Sequence, residues 1–188
     1  MTITLLTLIL ICELIILTIL SYKKFTLLPF FKFNYKELLI PKIKQTTNIL
    51  CDSLKELSQS NTGALFVIEK NTSLKKIINS ANVINADINL NLILSIFQKR
   101  SLLHDGAVII SDNKIACTCA YLPTSQQKLK IVLGSRHRAG LGISEKFDSL
   151  SIIVSEQTGA ISFAQAGILE VINDPNIIYE KILDFLSK

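Results

Sequence analysis

The stretch LHDGAVIISDNKIACTCAYLPTSQQKLKIVLGSRHRA, residues 103–139, decides how the chain is read. It opens on His104-Asp105-Gly106-Ala107 and closes on Gly134-Ser135-Arg136-His137-Arg138-Ala139. Between these lie two apolar runs of strand length, Val108 to Ile110 and Ile115 to Tyr121. They predict a strand pair with a carboxylate at one end and a cationic grip for phosphate at the other. The residues before this stretch anchor and start a domain; those after it close a sheet.

Each end of the stretch has two readings on its own. Asp-Gly is a common turn dipeptide, so Asp105-Gly106-Ala107 reads as a plain strand entry. It also reads as a place where small residues admit a ligand to the backbone and the Asp105 carboxylate holds a metal or orients a hydroxyl. Arg136-His137-Arg138 reads either as a solvated basic turn or as a phosphate seat. The seat would combine free N–H groups at a helix start, the Ser135 hydroxyl and two guanidinium groups. It lacks the G-x-x-x-x-G-K-[ST] spacing of a P-loop.

Toward the N-terminus, Ala64 to Ile68 predicts a buried strand. Leu38, Leu39, Ile43, Ile49, Leu50, Leu54 and Leu57 recur near the helical period, with Gln45 to Leu57 the firmest part and Pro41 a kink or delay. Ser73 is placed to cap a helix running through Ile78, and Leu90 to Phe97 predicts another, capped near Asn89. Asn85-Ala86-Asp87 reads as a turn between them. Toward the C-terminus, Leu141 to Lys146 predicts a short helix, and Leu150 to Val154 and Ala160 to Phe163 predict strands. Pro175 opens a last helix with an apolar face from Ile177 to Leu186. The elements mix without strict βαβ alternation, which predicts an α/β domain: a mixed β-sheet surrounded by helices.

Residues 1–22 differ from the rest. Ile3 to Leu20 carries thirteen Leu and Ile, which at about −0.5 kcal/mol each favour membrane insertion by about 6 kcal/mol. Glu13 opposes this by about 3 kcal/mol, counted as an aspartate. The balance predicts one transmembrane helix, with residues 23–44 as a juxtamembrane linker and the start of the next helix. No basic residue precedes the run and no small-residue cleavage motif comes after it, which disfavours a signal peptide. Lys23, Lys24, Lys32 and Lys36 come next, so the bulk of the chain is expected on the cytoplasmic side of the cell membrane, single-pass.

The 49% hydrophobic content suits one membrane segment, and the net charge of +5 is too modest to select a partner. The basic residues are scattered rather than clustered, so no nucleic-acid partner is expected. Cys12, Cys51, Cys117 and Cys119 lack paired zinc spacing and read as reduced thiols. Cys117 and Cys119, two apart in a strand, are expected to share one face.

Taken in order, the His104–Ala107 and Gly134–Ala139 motifs, Tyr121-Leu122-Pro123, Leu141-Gly142-Ile143-Ser144, Val154 to Ser162 and Gly63 to Glu69 resemble the diadenylate cyclase domain. The resemblance covers roughly Gln45 to Gly167, and residues 45–188 are taken as that domain. The single apolar segment makes the chain look like a reduced relative of the membrane-bound branch.

The resemblance implies a nucleotidyltransferase that condenses two ATP into cyclic di-AMP and two pyrophosphates, for second-messenger signalling. Catalytic roles are implied for Asp105, Arg136, His137 and Arg138. ATP contacts are implied for Gly106, Ala107, Leu122, Ser135, Arg136, His137, Arg138 and Ala139. A divalent metal, manganese or magnesium or else cobalt, is implied near Asp105, His104 and Glu156. Ser135 stands where threonine is common, and Gln157 replaces a second acidic residue. Ring closure needs two opposed sites, so a face-to-face homodimer is expected. The rival reading is an inactive ATP or cyclic-dinucleotide sensor at the membrane, which would bind nucleotide without turnover.

Overall fold

The computed structural model describes residues 2–27, 35–127 and 133–187. It divides into two units, residues 1–39 and 40–188. In the first, helix α1 spans Thr2–Leu27. Its described side chains, at 7 and 10–21, are exposed all round the helix, among them Leu10, Ile11, Leu14, Ile15 and Leu17. Among the described residues no helix is long and apolar enough to cross a membrane. Residues 28–34 of the expected juxtamembrane linker lie outside the described residues.

The second unit is built on a seven-stranded sheet, ordered β2-β4-β3-β1-β5-β6-β7. Its strands are β1 (Ala64–Glu69), β2 (Asn82–Asp87), β3 (Ala107–Ser111), β4 (Lys114–Ala120), β5 (Ser149–Val154), β6 (Ile161–Gln165) and β7 (Ile168–Ile172). Among these described strands only the β1–β3 pair is parallel; the other five pairs are antiparallel. The mixed sheet predicted from the element pattern is therefore present.

Helices cover both faces. α2 (Tyr35–Gln59), α4 (Leu90–Phe97) and α6 (Pro175–Ser187) pack on one. There Leu50, Leu54, Ile93, Phe97, Ile182 and Phe185 meet Phe66, Ile68, Val108 and Ile152 of the sheet. Phe66 and Phe97 meet edge-on, their ring centroids 4.9 Å apart. α3 (Lys75–Ser80) and α5 (Ser135–Lys146) lie on the other side, where Leu74, Leu141 and Ile143 cover Leu65, Val67, Ile109 and Ile153. Strand β1 is thus apolar at successive positions because both its faces are buried.

Local chemistry explains several boundaries. The Asn89 side chain accepts from the N–H groups of Asn91 and Leu92, capping α4 as expected. Asp112 and Asn113 both have positive φ, 51° and 57°, between the paired Ser111 and Lys114. That is the two-residue hairpin geometry that Asp and Asn tolerate. α2 runs through Pro41 rather than starting after it.

Three local expectations are corrected and one strand is added. Asn85-Ala86-Asp87 is not a turn but part of β2, an exposed edge strand. Its polar residues face solvent, and a register shift between Val83 and Ala86, with Asn85 at φ 50°, hides the alternation. β7 is an addition to the expected strands; Ala166 and Gly167, both at positive φ, turn the chain back onto β6. α5 begins at Ser135, so the basic trio is its first turn rather than the loop before it. Cys117 and Cys119 do not share a face. Register shifts and a positive φ at Cys119 put Cys117 with Ala120 in the core, and the Cys119 thiol reaches the Leu102 carbonyl at 3.6 Å.

α5 rests on the segment after β4 at Gly142. A Cβ there would stand 2.3 Å from the Pro123 carbonyl oxygen and 2.5 Å from the Ser125 nitrogen, both backbone atoms. Gly142→Ala is expected to cost about 1–3 kcal/mol of stability by overpacking, measured as a lower urea midpoint at unchanged slope.

Candidate active site

The strand directions bring four chain segments to one end of the sheet. β1 and β3 run parallel, so they start at the same end; β5 runs against β1 and finishes there, with Ala64 opposite Val154. Counting back from Phe66 opposite Val108 sets Ala64 level with Gly106 and Gly63 level with Asp105. Adjacent strands lie about 4.8 Å apart. A Cβ on Gly63 would stand 2.7 Å from Arg136 Nη1 and 2.9 Å from Glu156 Cβ. Asp105, Arg136 and Glu156 therefore occupy the same end of the sheet.

A cleft of about 570 Å³ opens there. Ser135, Arg136 and His137 line one wall and Ser155, Glu156, Gln157 and Thr158 another, with Ser162, Leu169 and Val171 also lining it. The N-cap of α5 is Gly134, which offers no side-chain cap, and Arg138 N–H is the first to bond back, to the Gly134 carbonyl at 3.1 Å. The preceding N–H groups of the first turn have no intrahelical acceptor. They and the helix dipole make this end of the cleft attractive to an anion.

Arg136 Nη1 donates to Glu156 Oε2 at 3.2 Å, and Lys99 Nζ lies 3.9 Å from Glu156 Oε1. Glu156 is 53% exposed, so the pair contributes little to stability; its effect is to hold the guanidinium in place. Burial pulls the His137 pKa below the ordinary histidine value. Burial also pushes the Cys51 and Cys117 thiols up to about 11, so neither supplies a thiolate at neutral pH.

The remaining sequence-selected residues stand outside the cleft lining. Arg138 is turned away: its Nη1 donates to the Ser125 carbonyl at 3.4 Å, and the Ser125 N–H donates to the Arg138 carbonyl at 2.9 Å. In this structure Arg136 lines the cleft and Arg138 does not. Leu122 and Ala139 are half-buried against the α5-side core, and Ala107 is wholly buried. Gly106 has φ +96°, and a Cβ there would meet the Cys119 carbonyl carbon at 2.8 Å. The need for glycine arises from β4, independent of any ligand. Asp105 is exposed and has no ion-pair or hydrogen-bond partner among the described residues.

The three residues expected near a metal do not converge. Among the described residues no group of three His, Cys, Asp or Glu is placed to hold a metal ion. His104 Nδ1 is engaged with the Ser101 carbonyl at 2.6 Å, and Glu156 is engaged with Arg136. An unpartnered Asp105 carboxylate still fits a hard cation whose other ligands are substrate phosphate oxygens. Sequence reasoning misses Ser155, Thr158 and Ser162; small hydroxyl residues carry no spacing signal until the strands place them.

A family model described as DisA bacterial checkpoint controller nucleotide-binding, the DAC domain, matches residues 51–169. Over 140 residues the chain is 40% identical to the diadenylate cyclase of Mycoplasma genitalium, covering 73% of this chain and 70% of that one. It spans 61–70% of the length of the first curated relatives it matches. Among solved structures it superposes on DacA from Staphylococcus aureus with a TM-score of 0.73 at 35% identity, over 76% of this chain and 95% of that one. A hypothetical membrane spanning protein from Bacillus cereus matches with a TM-score of 0.66 at 38% identity, over 69% and 64% of the two chains. A match through the sheet, the cleft and the basic first turn of α5 settles the relationship: the chain belongs to the diadenylate cyclase, or DAC-domain, family.

Proposed function

We propose that this chain is a diadenylate cyclase, joining two ATP molecules into cyclic di-AMP with release of two pyrophosphates. The observation that carries the reading is the open cleft at the start of α5, walled by Ser135, Arg136 and His137, at the same sheet end as an Asp105 that has no partner among the described residues.

In each half-reaction the 3′-oxygen of one nucleotide bonds to the α-phosphorus of the other. The bond from that phosphorus to the bridging oxygen breaks, and pyrophosphate leaves with the electron pair. Asp105 orients the 3′-hydroxyl and receives its proton. The first-turn N–H groups of α5, the Ser135 hydroxyl and Arg136 hold the phosphates and offset the charge growing on pyrophosphate. Arg136 exchanges Glu156 for phosphate when ATP enters. Arg138 braces the Ser125 segment instead, keeping α5 aligned. Asp105, together with phosphate oxygens of the nucleotide, would hold a divalent cation such as manganese, magnesium or cobalt. That ion supplies charge neutralisation during the transfer.

One domain holding one ATP cannot close both bonds, so two copies face each other with sites opposed. The exposed apolar residues beside Asp105 support such a covered face: Leu102 is 96% and Tyr121 80% exposed. Membrane attachment rests on the Ile3–Leu20 apolar run and on the similarity to the membrane spanning protein of Bacillus cereus. The cyclase domain would then lie on the cytoplasmic side.

Incubated with ATP and manganese, the full chain should yield cyclic di-AMP by mass spectrometry. Asp105→Asn should abolish product while ATP affinity stays within a few-fold. Arg136→Ala should lower turnover by roughly 10³-fold, the lower range for an arginine in such a role. ATP binding with no product under any divalent metal would favour the sensor reading instead.

His137 gives a pH signature in the empty protein. Its folded pKa lies below the 6.5 of the free side chain, so the unfolded chain binds the proton more readily. Its stabilising contribution is complete above the unfolded value. It should shrink as pH falls from about 6.5 and be lost below the folded value. Denaturant unfolding of His137→Gln between pH 8 and 5 should lack that component.

For the anchor, the full chain should float with lipid vesicles in a density gradient. A variant lacking residues 1–22 should remain in the dense fraction, and co-flotation of both would remove the case for that helix.

A further inference from the structure

We propose that Ser58, at the C-terminal end of α2, is a positioning residue for the nucleotide cleft, acting through the turn that joins β5 to β6. This rests on the cyclase reading of the cleft.

The turn is braced by its own hydrogen bonds. Ser155 N–H donates to the Ala160 carbonyl and Gly159 N–H to the Ser155 carbonyl, each at 2.9 Å. Thr158 N–H donates to Ser155 Oγ at 3.3 Å, and Ala160 N–H to Thr158 Oγ1 at 3.2 Å. Ser155, Glu156, Gln157 and Thr158 all line the cleft. A turn so bonded to itself moves as one piece, and where it sits decides where those four side chains sit.

Ser58 fixes that position. Its hydroxyl donates to the Gly159 carbonyl at 2.6 Å, across 101 positions of sequence. The contact is close on the backbone side too. A Cβ on Gly159 would lie 2.4 Å from the Ser58 carbonyl oxygen and 2.8 Å from Asn61 Oδ1, and Gly159 has φ +70°. Five residues after Ser58, the same connection brings Gly63 against Arg136 and Glu156. The end of α2 thus meets this cleft wall through Gly159, and Gly63 packs against the Arg136–Glu156 ion pair that joins it to the start of α5. Ser58 lines no part of the cleft itself, so its influence on ATP travels through the turn.

The test compares wild type, Ser58→Ala and Ser58→Thr, each as the full chain. Ser58→Ala is expected to raise the KM for ATP about 5- to 10-fold, the fold-change of one ordinary hydrogen bond. Its kcat should stay within about twofold, and Ser58→Thr, which keeps the hydroxyl, should restore KM. In nucleotide-free protein, amide exchange should quicken across 155–160 in Ser58→Ala and stay unchanged in the central strands. An unaltered KM and unaltered exchange at 155–160 would overturn the proposal. So would exchange that quickens throughout the sheet, or a Ser58→Thr as impaired as Ser58→Ala. Exchange is read without turnover, so it tests the clamp even if wild type makes no cyclic dinucleotide; absence of product from wild type would count against the cyclase reading alone.

Discussion

Burial of β1 on both faces is the constraint on which the domain is built. Residues 64–68 are all buried, so helices must lie above and below this strand and neighbours must pair on both its edges. β3 runs parallel to it and β5 antiparallel. That combination sends the starts of two strands and the finish of a third to one end of the sheet. Had β5 run the other way, Glu156 would come after a strand that ends at the far edge, away from Gly63 and Arg136.

The chemistry of the cleft grows from that end. A helix start with no side-chain cap presents N–H groups that have no intrahelical acceptor, and Arg136 is steadied by Glu156 across the opening. Both features favour an incoming polyanion: the dipole and amides attract it, and the guanidinium is already close to where it is needed, which lowers the ordering cost of binding. Glycines serve geometry here rather than flexibility. Gly63 leaves room for Arg136, and Gly106 lets β3 start against β4.

Much of this is legible in residue order, for local reasons. The apolar runs of β1, β3 and β5, the pairing of the Val108–Ile110 and Ile115–Tyr121 runs and the Asn89 cap depend on neighbours a few positions away. The failures share a cause. β2 is polar and exposed, and becomes a strand only because β4 offers it an edge. The start of α5 is hidden in the sequence because Ser135-Arg136-His137-Arg138 lacks an apolar face. Cys119 leaves the expected face through register shifts that no alternation pattern reveals.

By itself, the sequence determined an apolar N-terminal run, a mixed sheet with helices on it, and the paired acidic and basic motifs that mark the family. Those are properties of composition and short-range periodicity. Tertiary structure alone decided that Arg136 meets Glu156 while Arg138 turns to Ser125, that Asp105 stands one strand away, and that Ser58 reaches Gly159. The reason is physical: each contact joins segments distant in sequence, and strand order and direction, set by burying β1, determine which distant segments meet.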